Sequence, residues 1–199
     1  MESLKKIKFL KKIPSEPIVS IISNKGTGAG GCNTNKNGLP YEELTHLQTD
    51  YSIISKNIYS DNIHFNNYSD TIFIRVEKGN LFKYMGDKVN KNIIKAHGCK
   101  NPDECYINEA TKKIFLLEKK FQQVSGSVCE KIQTAGFKRR HYSKTFPNYD
   151  IIYMYCLSDW FKLNCKPELD DLKEINIPVF WGNDVNYKCT IIDYIINYK

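Results

Sequence analysis

A chain of 199 residues with 41% hydrophobic content is long enough to bury a core and is most simply one domain. Its 29 basic against 22 acidic side chains leave a formal charge of +7, a moderate excess that suits a polyanionic partner. No stretch approaches the roughly eighteen apolar residues of a membrane span, and the lysine-rich start lacks the apolar core of a secretory signal, so an intracellular, cytoplasmic protein with no membrane partner is expected.

Residues 1–13 carry five lysines among apolar residues, a basic arm suited to phosphate or simply to solvent. After the apolar run Ile18 to Ile22, Gly26 to Gly31 formally matches a dinucleotide fingerprint. That fingerprint must open a helix at once, whereas here a polar loop continues and Cys32 stands where a phosphate loop carries lysine, so no organic cofactor is expected. Asn33, Asn35 and Lys36 in this loop offer donors and acceptors for base edges or phosphates. Pro40 can begin a helix, Glu42 and Glu43 suit its positive end, and Leu44, Leu47, Tyr51 and Ile54 recur on one face. Thr71 to Glu77 reads as the first core strand, and Leu81 to Met85 as a short strand or a helical turn.

Pro102-Asp103 follows a turn signal and leads into Cys105 to Ile107, which pairs as a hairpin with the next apolar run across a turn at Asn108 to Thr111. The second strand, Ile114 to Leu117, ends in Glu118-Lys119-Lys120. Side chains on a strand alternate faces, so Glu118 and Lys120 share one face and Lys119 points the other way. A hairpin of this kind gathers an acid from each strand around one cation, and oxygen ligands suit magnesium. The plainer reading is a solvated sheet edge. Beyond it, Ser125 to Ser127 forms a turn, and Val128, Ile132 and Ala135 lie at helical spacing. Lys138, Arg139, Arg140 and Lys144 then form a basic segment placed to hold a phosphate backbone, or else to stabilise a helix end. Asp150 to Leu157 reads as a central strand, Pro167 to Ile175 as a helix and Ile177 to Trp181 as a strand. Seven scattered cysteines without a Cys-x-x-Cys pair predict reduced thiols and no zinc site.

The segments Lys100 to Glu104, Leu117 to Gln122 and Gly126 to Thr134, with the glycine-rich stretch and helix of Gly28 to Glu42 upstream, span about the middle half of the chain. In them the sequence resembles the PD-(D/E)XK nucleases, and within these the small type II restriction endonucleases. The resemblance implies an α/β fold with a restriction-endonuclease-like core: a central mixed β-sheet flanked by helices, ordered helix, three strands, helix and strand. It implies that Asp103 and Glu118, with the main-chain carbonyl of Lys119, bind magnesium (Mg2+), and that Lys120 orients or activates the attacking water. Glu42 becomes an auxiliary ligand or orients a metal-bound water, and Gln133 resembles a polar helix position near the active site of related nucleases. Glu104 directly follows Asp103, so either acid can be the ligand; Asp103 fits the family's Pro-Asp position. The expected organisation is a single nuclease domain over 1–199, with a basic arm and glycine-rich loop at 1–38, a catalytic core at 39–182 and a C-terminal extension at 183–199. The expected partner is double-stranded DNA, cut by a homodimer, because two-fold symmetry supplies one site per strand. The alternatives of this fold are a structure-selective repair or recombination nuclease and an inactive DNA-binding protein.

Overall fold

The computed structural model describes residues 40–99, 101–123 and 128–199. The basic arm, the loop bearing Asn33, Asn35 and Lys36, and the predicted turn at Ser125 to Ser127 lie outside the described residues.

Among the described residues, seven strands form one sheet in chain order: β1 Tyr51–Lys56, β2 Asp61–Phe65, β3 Tyr68–Val76, β4 Glu104–Asn108, β5 Lys113–Lys120, β6 Asp150–Leu157 and β7 Val179–Trp181. The pairs from β1 to β5 are antiparallel, whereas β5–β6 and β6–β7 are parallel. Parallel neighbours require a crossover. Helices α3 (Val128–Gln133) and α4 (Ala135–Thr145) form the first, and α5 (Trp160–Asn164) and α6 (Lys166–Glu174) the second. Helices α1 (40–44), α2 (Leu81–Met85) and α7 (Tyr187–Asn197) complete an α/β architecture in which helices flank a central mixed sheet, as the sequence leads one to expect.

Strand alternation divides the core into two layers. Ile114 and Leu116 of β5 and Ile151, Tyr153, Tyr155 and Leu157 of β6 pack with Ile132, Ala135, Tyr142, Phe161 and Leu172 from α3 to α6. Phe115 and Leu117, with Ile152, Met154 and Cys156, face Tyr41 of α1 and Tyr187, Ile191, Ile192 and Ile195 of α7. Residues 183–199, read from sequence as an extension, thus contain the helix that covers this second face.

The helix predicted through Ile54 is shorter than expected. Thr45 ends α1 by donating both its backbone N–H, at 2.9 Å, and its Oγ1, at 2.6 Å, to the carbonyl of Tyr41. Tyr51, Ile53 and Ile54 then belong to β1, whose aromatic and β-branched residues pair with β2, Tyr51 opposite Phe65 and Ile53 opposite Ile63. Pairing across the sheet overrides the helical periodicity, and the β1–β2 hairpin has no counterpart in the sequence reading. Leu81–Met85 resolves as a helix. Cys129 and Cys165 are joined in a disulfide with Cα atoms 5.8 Å apart, fastening α3 to the α5–α6 junction. The expectation of reduced thiols thus fails at Cys129 and Cys165, which the packing of α3 against the α5–α6 junction brings together from 36 positions apart, while Cys99, Cys105, Cys156 and Cys189 are not in disulfides.

The β4–β5 turn is held by Glu109, which accepts from Lys88 at 2.5 Å, Lys112 at 2.7 Å and Tyr149 at 2.8 Å. Burial raises the Glu109 carboxyl, but these donors outweigh it and bring the pKa down to about 2. A depressed folded-state value stabilises above the unfolded pKa of about 4.3 and is lost as pH falls towards 2. Glu109→Gln is expected to flatten the loss of urea stability over that acid window by about 1 kcal/mol, after discounting for solvent screening. An unchanged acid slope would mean that the donors do not act on this carboxylate.

Candidate active site

The β4–β5 register decides which acid faces which. Glu104 pairs with Leu117 and Cys105 with Leu116, so Asp103, one residue before β4, stands opposite Glu118. Glu118 and Lys120 continue the Ile114 and Leu116 series on the face covered by α3 to α6, while Lys119 continues the Phe115 and Leu117 series on the other face. The expected parity of the strand is what the structure shows. Asp103 Oδ2 accepts the backbone N–H of Lys119 at 2.7 Å, which ties the approach to β4 onto the end of β5.

Around the end of β5, from the edge of α1 to α4, acids and lysines alternate in one continuous chain. Lys78, two residues past β3, pairs with Glu42 on α1 and lies 3.8 Å from Asp103 Oδ1. Lys120 Nζ lies 3.6 Å from Asp103 Oδ2 and 2.9 Å from Glu118 Oε1, and Lys138 of α4 reaches the same Glu118 oxygen at 3.1 Å. Burial pushes the Asp103 carboxyl above its ordinary value against the pull of Lys120. Burial acts the same way on Glu118, but Lys120 and Lys138 outweigh it and hold that carboxyl low. Burial opposes the charge on Lys120, yet Glu118 and Asp103 more than compensate and keep the ammonium protonated.

Glu104 belongs to the opposite face. It is 3% exposed, ion-paired with the buried Lys119 and hydrogen-bonded by the Tyr106 hydroxyl. Lys119 also donates to the carbonyl of Glu42 at 3.0 Å, so it supports α1 from beneath. Gly182 leaves room for the Tyr41 hydroxyl on the same helix, where any Cβ would collide with it. These contacts seat α1 and thereby set the position of Glu42.

The residues read as DNA contacts do not act as one group. Lys138 is turned inward to Glu118, the Arg139 guanidinium donates to the carbonyl of Ile175 at 2.7 Å, and Gln133 donates to Glu168 at 3.0 Å. Arg140 and Lys144 remain exposed on α4. Sequence reasoning does not single out Lys78. Its partner Glu42 is 36 positions away, and no local pattern reports a pairing of that span.

Lys120 Nζ donates to the Lys119 carbonyl at 2.9 Å as well as contacting Glu118 and Asp103. Two carboxylates and a main-chain carbonyl therefore already converge on one cationic centre. An all-oxygen set of this kind fits magnesium. Glu42 is set apart by Lys78. Among the described residues, three side-chain donors of the His, Cys, Asp and Glu types come within 4.8 Å of one another at Cys129, Cys165 and Glu168, where the disulfide removes both thiolates. No helix among the described residues is long and apolar enough to cross a membrane. Comparisons with protein-family models, curated proteins and solved structures give no match, so the chemistry of the site rests on its geometry.

Proposed function

We propose that the protein is a magnesium-dependent endodeoxyribonuclease of the type II restriction class, hydrolysing phosphodiester bonds in double-stranded DNA at a short specific sequence. The observation that carries this reading is the convergence of Asp103, Glu118 and the Lys119 carbonyl on the Lys120 ammonium at the end of β5. The order of α1, the antiparallel β3–β4–β5, the α3–α4 crossover and the parallel β6 also agrees with a restriction-endonuclease-like core.

Asp103, Glu118 and the Lys119 carbonyl would hold the metal, which when bound neutralises phosphoryl charge and lowers the pKa of water. Lys120 supplies a positive charge next to the reacting phosphate, stabilising the negative charge that accumulates as water attacks. Lys138 keeps Glu118 ionised and oriented from the helix side. Glu42 orients water at the margin of the site. A homodimer places one site at each strand of a palindrome.

Digestion of a plasmid of known sequence with magnesium is expected to give discrete fragments, and sedimentation a dimer. A smear would instead indicate nonspecific cutting, cleavage confined to branched substrates a structure-selective nuclease, and no cleavage with retained binding an inactive DNA-binding protein.

The exposed residues of α4 lead to a separate expectation. Joint replacement of Arg140 and Lys144 by glutamine should weaken duplex binding in calcium and flatten the slope of log affinity against log salt by up to about 0.9 for each phosphate left without its cation. Arg139→Gln should leave that slope unchanged and lower stability instead, because its guanidinium holds the α6–β7 connection. A slope that depends on Arg139 and not on Arg140 or Lys144 would exclude this assignment.

A further inference from the structure

The lysines around the site differ sharply in how far they reach solvent. The Lys119 side chain is 1% exposed, Lys138 13% and Lys120 21%, whereas Lys78 is 49% exposed. Lys78 is also the lysine that joins the two halves of the acid cluster, since its ammonium pairs with Glu42 and stands 3.8 Å from Asp103. It sits between the end of β3 and Gly79, whose φ of 79° turns the chain towards α2. Its flexible stem therefore projects from a turn and is less confined by packing than those of Lys120 and Lys138.

We infer that Lys78 is a displaceable counter-cation, which neutralises Glu42 and Asp103 in the free protein and transfers to a substrate phosphate when a divalent cation takes up Asp103. The inference rests on the metal-dependent nuclease reading and deepens it.

Three acids, Glu42, Asp103 and Glu118, face three lysines, Lys78, Lys120 and Lys138, so the site carries no surplus negative charge with which to attract a divalent cation. A cation arriving at Asp103 meets the ammonium of Lys78 at the neighbouring oxygen, and the like charges repel. Lys120 and Lys138 share one oxygen of the partly buried Glu118, and leaving it would strand that carboxylate. Lys78 has no such constraint. A compact, strongly hydrated point charge on four rotatable carbons can leave a half-exposed site for a phosphate at little cost. Metal and DNA should then bind cooperatively, because each removes what hinders the other.

The test is Lys78→Met, which keeps the stem and removes the charge, compared with Lys78→Arg, with folding checked by thermal melting. Without DNA, Mn2+ affinity measured by titration should rise about tenfold in Lys78→Met, since a neighbouring positive charge has been removed. In calcium, the same variant should bind a labelled duplex more weakly, with a salt slope lower by about 0.9. Lys78→Arg should restore both duplex affinity and slope. A merely structural ion pair to Glu42 would leave Mn2+ affinity unchanged or reduced, and that result overturns the inference. A gain in Mn2+ affinity without loss of duplex affinity overturns the transfer to phosphate.

Asp103→Asn distinguishes failure of the metal site from failure of the lysine transfer. If wild-type protein binds no Mn2+, or binds it independently of Asp103, the metal-site reading fails and this inference with it. If Mn2+ binding depends on Asp103 while Lys78→Met changes neither affinity, the inference alone fails.

Discussion

Asp103→Asn is expected to abolish magnesium-dependent cleavage while the protein remains folded. The substitution keeps the size of the side chain and a carbonyl oxygen able to accept the Lys119 N–H, but removes the negative charge that Asp103 would bring to the proposed magnesium site. A bound metal contributes several kcal/mol of transition-state stabilisation, so the loss should be about a thousandfold or more. Glu118→Gln and Lys120→Ala should have effects of the same order. Plasmid cleavage across a magnesium titration, with thermal melting as the control for folding, measures this directly. Glu104→Gln should behave oppositely, melting at a lower temperature while the folded fraction still cleaves. Loss of activity in Glu104→Gln with retention in Asp103→Asn would move the metal to the other face of the sheet and end the present assignment.

Lys119→Met is expected to cause the largest loss of stability among the residues discussed. Lys119 and Glu104 are 2% and 3% exposed and are paired to each other. Removing one partner strands the other charge in the interior, at a cost of about 3–5 kcal/mol. For a chain of this length that corresponds to a fall in melting temperature of roughly 10 °C. This differs from the expectation for a solvent-facing lysine, where truncation is close to neutral. Replacing both partners, Glu104→Leu with Lys119→Met, should recover part of the loss, since neither charge is then left uncompensated. Urea unfolding of the single and double variants gives the coupling. A Lys119→Met protein as stable as wild type would show that the buried pair does not form.

Much of the sheet is legible in the sequence because its strands carry the apolar and β-branched runs that sheets require. Ile114 to Leu117, Asp150 to Leu157 and the segment near Thr71 all read as strands, and the parity of β5 correctly separates Glu118 and Lys120 from Lys119. The turn predicted at Asn108 to Thr111 is displaced, because Asn108 pairs with Lys113 and the loop is 109–112. That error shifts the pairing by two residues, and a shift of two preserves every side-chain face. The hairpin reading of Asp103 therefore survives an incorrect turn. The N-terminal helix fares worse: Leu44, Leu47, Tyr51 and Ile54 fit a helical repeat, yet the last two belong to a strand whose partner lies beyond the next turn.

The alternation along β5, the two acids near its end and the basic segment after it are all local features, since each depends only on neighbouring residues and on the two-residue period of a strand. The partners of those charges are set by long-range packing. Lys78 reaches Glu42 across 36 positions, Lys119 is buried against Glu104, and Lys138 turns inward to Glu118 instead of outward to solvent. A charged side chain looks the same in sequence whether it meets water, phosphate or a carboxylate. Only the packing of α1 and α4 against opposite faces of the sheet brings these groups within a few ångströms of one another, where Coulombic attraction and burial set their roles.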